Sequence, residues 1–129
     1  MSKAVLKIIA DSMRSLSLAY GFGTYVDDPI KYPYFVGEYT ESEPMTADGM
    51  HEGVFLLTGF ARGSEPYIDL EDAKERIEGM FHPVSGKIGI SDTGSGVAIF
   101  YAGSQYIPTG DAELKRIQIN LTIKEWKVN

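Results

Sequence analysis

Ile117, Ile119, Leu121 and Ile123 alternate with Arg116, Gln118, Asn120, Thr122 and Lys124. A strict period of two puts the apolar set on one face of a strand and the polar set on the other. Trp126 extends this half-buried strand. The chain opens on a different period. Leu6, Ile9, Met13, Leu16 and Tyr20 recur at spacings of three and four, which predicts one face of a helix. Ser2 stands at its N-cap and Gly21 ends it. A second helix follows Asp69, with Asp72 in the place of a capping-box acid. Leu70, Ala73, Ile77 and Met80 form its buried stripe, and His82-Pro83 closes it.

Between these segments lie shorter ones. Gly21 to Pro29 reads as a connection with a turn at Asp28-Pro29. Tyr32 to Glu41 is aromatic and β-branched, a strand entered through Pro33. Glu43 to Met50 reads as a loop. Val54 to Ala61 is apolar on both faces, as a strand covered on both sides would be, and should form a hairpin with its predecessor. Gly86, Gly89, Gly94 and Gly96 mark residues 84–96 as loop, Val97 to Ala102 as strand, and Pro108 to Asp111 as turn. The expected fold is α+β, order α-β-β-α-β-β, with two helices on a mostly antiparallel sheet of about four strands. The whole of residues 1–129 is expected to form one domain, with long loops near 43–52 and 82–96 and a loose αββ duplication.

The balance of 12 Lys+Arg against 18 Asp+Glu gives a net charge of -6, which argues against a phosphate-gripping surface. Lys115-Arg116 is the only adjacent basic pair. The absence of cysteine excludes disulfides and thiolate metal sites and fits a reducing compartment. Lys7 and Asp11 interrupt the first apolar stretch too early for a signal-peptide core. No apolar run approaches the about 18 residues of a membrane span. These features predict a soluble protein made inside a cell.

The search for chemistry ends in near-matches. His51 and His82 lack partners at zinc-ligand spacing, and both read as surface histidines. Ser85-Gly86-Lys87-Ile88 has the Gly-Lys of a phosphate loop, but Ile88 replaces the hydroxyl residue and Phe81 the first glycine. Gly94-Ser95-Gly96 lacks the outer glycines of a nucleophile elbow, where Thr93 and Val97 stand. Glu71, Glu75 and Glu78 read as solvated helix charge, and Asp48, Asp92 and Asp111 as turn residues. No metal, cofactor or catalytic group is expected. Tyr32, Tyr34, Phe35 and Tyr39 cluster in one segment, and tyrosine suits protein interfaces as well as strand packing.

Four features together carry a resemblance: the opening helix, Tyr32-Pro33-Tyr34-Phe35-Val36-Gly37-Glu38, the helix Asp69-Leu70-Glu71-Asp72-Ala73-Lys74, and Tyr106-Ile107-Pro108-Thr109-Gly110-Asp111 before the last strand. From about Val5 to Trp126 the chain resembles the tail-terminator (tail-completion, head–tail joining) proteins of long-tailed bacteriophages. Departures from the family are expected mainly at the 84–96 loop and the Glu43 to His51 tip. The resemblance implies a protomer of a hexameric ring on the tail tube, contacting itself, the major tail protein and the head–tail connector. It implies no catalysis. DNA would pass through without specific binding, and the protein, made in the bacterial host cytoplasm, would reside in the virion at the tail–head junction. Candidate contact residues are Tyr32 and Tyr34, Met45, Asp48, Met50 and His51 at the tip, and Lys87, Ile88, Ile90 and Asp92 in the second loop. The alternative is a small-ligand or regulatory binding module, which would need a concave apolar pocket.

Overall fold

A computed structural model describes residues 3–41, 50–90 and 94–126. Its elements are α1 (Lys3–Ser15), β1 (Ala19–Phe22), β2 (Tyr34–Glu41), β3 (Met50–Arg62), α2 (Pro66–Met80), β4 (Lys87–Ile90), β5 (Gly96–Ile107) and β6 (Leu114–Trp126). They build a 6-stranded sheet in the order β1-β2-β3-β6-β5-β4. Only β1 and β2 run parallel; the other neighbours are antiparallel.

This corrects the expected sheet of about four strands and the order α-β-β-α-β-β. The two added strands, β1 and β4, have 4 residues each and lie at the sheet edges. An edge strand borrows hydrogen bonds from one neighbour, and over so few residues it need not show alternation. Glycines 21 and 89 further blunt the signal. The first helix also ends early. Ser17 takes φ 59, a left-handed turn that stops α1 before Gly21 and frees Ala19–Phe22 for pairing. Asp69 lies within the first turn of α2, whose N-cap is Glu65 with Pro66 following.

The described residues contain two αβββ halves, so the duplication is deeper than αββ. In each half the helix comes first and the third strand lies at the sheet centre. β3 and β6, each of 13 residues, pair along their whole length, with Leu56 opposite Asn120 midway along both. The halves differ in their first strand: β1 is parallel to its neighbour and β4 antiparallel.

Alternation decides the core. Phe55, Leu57 and Ala61 of β3 and Ile117, Ile119, Leu121 and Ile123 of β6 are fully buried on one face. Val5, Ile9 and Met13 of α1 and Leu70, Ala73 and Ile77 of α2 pack with them in one cluster. α2 lies over the central strands β3 and β6. α1 touches both β1 and β4, the two sheet edges. The sheet therefore curls around α1, and Ile8 fills the space beside Gly89, where a Cβ would stand 2.5 Å from its terminal methyl. The convex face carries Val54, Leu56, Thr58 and Phe60 half-exposed, so the central strand is covered on one side only.

A register shift between Tyr101 and Ser104 in β5 changes which side chains face α2. Ile99 and Tyr101 pair with Ile123 and Leu121; beyond the bulge Ser104 and Tyr106 pair with Ile119 and Ile117. Tyr106 thus reaches the helix side, where its hydroxyl donates a 2.7 Å hydrogen bond to Glu71 of α2. Among the described residues, no helix is long and apolar enough to cross a membrane.

Candidate functional site

At the end of the sheet nearest the β2–β3 connection, four residues form one row across four strands. Ile90 pairs with Gly96, Gly96 with Trp126, and Trp126 with Met50. The next row is Ile88, Ala98, Lys124 and Glu52. Period-two geometry puts both rows on the convex face, away from the helices. Ile90 is 78% exposed, Ile88 64% and Trp126 39%. Lys124 Nζ lies 5.8 Å from the ring centroid of Phe100, so its cation sits over an aromatic face. Single exposed apolar residues are ordinary; here three of them share one sheet face.

The sequence-chosen residues divide into four groups. Met50, Ile88 and Ile90 lie on this convex face. Met45, Asp48 and Asp92 lie outside the described residues. Lys87, half-buried, pairs with Ile99 on the helix side. His51 also faces the helix side, opposite buried Glu125, and its Nδ1 lies 3.1 Å from Glu41 Oε1. With a side chain 16% exposed, His51 is not the surface histidine expected. Its Nε2 is buried and has no hydrogen-bond partner among the described residues. Burial shifts the phenol of neighbouring Tyr39 upwards.

Tyr32 and Tyr34 lie at the opposite end of the sheet. Tyr34 stacks between Tyr25 at 4.7 Å and Phe60 at 5.1 Å, and burial raises its phenol pKa. It is therefore engaged mainly in packing within the chain. Tyr32 leans on Tyr34 with centroids 5.5 Å apart. The Tyr32 hydroxyl and the Asp111 carboxylate hold the Arg62 guanidinium above its ordinary range. Arg62 Nη2 donates to Asp111 Oδ2 at 3.2 Å.

That ion pair borders a feature the sequence reading missed. A cleft of about 390 Å³ is lined by Tyr67, Tyr106, Asp111, Lys115 and Arg116 together with the β5–β6 connection. Its sequence signal was the basic pair Lys115-Arg116, but Tyr67 and Tyr106 are brought beside it only by α2 and the β5 bulge. The aromatic segment from Tyr32 to Tyr39 does not line it. The phosphate-loop near-match falls on the turn before β4, with Gly86 at φ 69, and Ser95 of the elbow near-match is buried. Among the described residues, no three His, Cys, Asp or Glu side chains converge as a metal site.

No protein-family model matches this sequence, and no curated protein is significantly similar to it.

Proposed function

We propose that this chain is a non-catalytic assembly protein whose protomers contact one another through the convex patch of Ile88, Ile90, Trp126 and Met50. The exposed apolar row across β4, β5, β6 and β3 supports the reading. Covering it would remove exposed apolar area from water, at roughly 25 cal/mol per Å² before the costs of association. A patch that meets a different surface on the next protomer generates a ring when the rotation closes. The resemblance to phage tail-terminator proteins supplies the biological form of this proposal: a hexameric ring that caps the tail tube at the tail–head junction of a virion. The ring would end tube polymerisation and meet the major tail protein and head–tail connector. Its net charge of -6 suits a channel through which DNA slides without counterion-release binding. The test is negative-stain electron microscopy of the purified chain, alone and with polymerising tail-tube protein. Rings, and tubes capped at one end, are the expected result. A dispersed monomer that leaves tube length unchanged would contradict the proposal.

A further inference from the structure

We infer that the cleft between α2 and the β5–β6 connection binds a small organic anion, with its charged group at Lys115 and a flat ring against Tyr67 and Tyr106. This does not depend on the assembly proposal, because the cleft lies at the other end of the sheet from the convex patch.

Charge is the first observation. Asp111 lines the cleft, but Arg62 binds it at 3.2 Å and it also accepts the Glu113 backbone N–H at 2.9 Å. Glu71, close by, accepts Lys74 at 2.8 Å and the Tyr106 hydroxyl at 2.7 Å. The neighbouring carboxylates thus already have partners. Lys115 has no carboxylate partner among the described residues, and pairing with Ala61 puts it on the same face as Tyr106. In a chain of net charge -6, an unpaired cation in an aromatic-walled cleft is a local reversal of sign.

Shape is the second. Tyr67 and Tyr106 meet edge to face, with centroids 5.0 Å apart, and are 50% and 38% exposed. Lys115 Nζ lies 5.2 Å from the Tyr67 centroid, which keeps the cation beside the aromatic wall. The floor is preformed. The Thr109 hydroxyl donates to the Leu114 carbonyl at 2.6 Å and accepts the Asp111 N–H at 3.1 Å, while Gly110 takes φ 77 to close the turn. A preformed cleft with a few convergent polar groups needs little ordering when a ligand enters.

The test is titration of the ¹⁵N-labelled full chain with phenyl phosphate, inorganic phosphate and phenol as three separate probes. Phenyl phosphate should give saturable shifts at Gly110, Ala112, Lys115 and Arg116, with a Kd of roughly 1 mM or tighter. Each half-probe should bind about tenfold more weakly or not at all, since neither makes both sets of contacts. Lys115→Gln should weaken phenyl phosphate about tenfold, while Lys124→Gln on the convex face should not change it. Tyr67→Leu, at an exposed position, supplies a second variant should Lys115→Gln lose its folded spectrum, and should also weaken binding. Absence of saturable shifts, shifts centred elsewhere, equal binding of phenol or phosphate, or unchanged binding in the folded variants would overturn the inference.

Discussion

Ile90 and Trp126 are separated across the sheet only by Gly96, and both project from the convex face. A Cβ at residue 96 would stand 3.7 Å from the Trp126 ring, an ordinary contact distance. Trp126 is the only tryptophan and is 39% exposed. It therefore reports directly on whether the patch is covered. As protein concentration rises, its emission should move to shorter wavelength and acrylamide quenching should fall. Emission and quenching independent of concentration, with assembly present, would place the contact elsewhere.

Gly37 shows why one glycine lies within a strand. Its Cβ position would be 2.6 Å from the Tyr20 hydroxyl and 2.7 Å from two ring atoms of Phe55. Gly37→Ala should destabilise by about 1–3 kcal/mol through overpacking. Urea denaturation should show a lower midpoint with an unchanged slope.

Arg76 joins the second helix to the end of the first. Its Nη1 donates to the Leu16 carbonyl at 2.6 Å. Arg76→Met should cost about 1.5–3 kcal/mol, the range for a hydrogen bond to a charged group. Arg76 also pairs with exposed Asp72 at 3.2 Å. Asp72→Asn should cost no more than about 1 kcal/mol, as for exposed pairs generally. Similar losses in the two variants would show that the surface pair, not the backbone bond, matters.

Alkaline pH should weaken the fold. Burial pushes the Tyr20 phenol up to about 12, from an ordinary 10.0. Burial, and then the bond to Glu71, also raise Tyr106. A raised folded pKa contributes stability below the unfolded pKa and loses it as pH climbs through the folded one. Stability should thus fall from about pH 10 to about pH 12. Tyr20→Phe should flatten that slope and, because the buried hydroxyl has no partner among the described residues, should cost little at pH 7. A slope unchanged in Tyr20→Phe would assign the alkaline loss to other groups.

The legible parts of the fold were those with long periodic signals. Ile117 to Ile123 announced a half-buried strand, and Leu70 to Met80 a helix, because many residues repeat one spacing. β1 and β4 were hidden because four residues at an edge need no pattern. Of the contact candidates, Met50, Ile88 and Ile90 lie on one face, a fact fixed by strand register. Register also turned His51 to the other face, opposite Glu125. The cleft depended on the bulge between Tyr101 and Ser104, which shifts Tyr106 to the helix side and whose local sequence mark is a single glycine, Gly103 at φ 121.

Native mass spectrometry of the wild-type chain and Ile90→Lys, over a concentration series, addresses the convex patch most directly. Residue 90 is 78% exposed, so lysine there should leave the monomer folded. Wild type should form a closed oligomer, six copies in the tail-terminator form of the proposal. Ile90→Lys should shift the population to monomer at the same concentrations. A wild-type chain that stays monomeric, or an oligomer unaffected by Ile90→Lys, would contradict assembly through this patch.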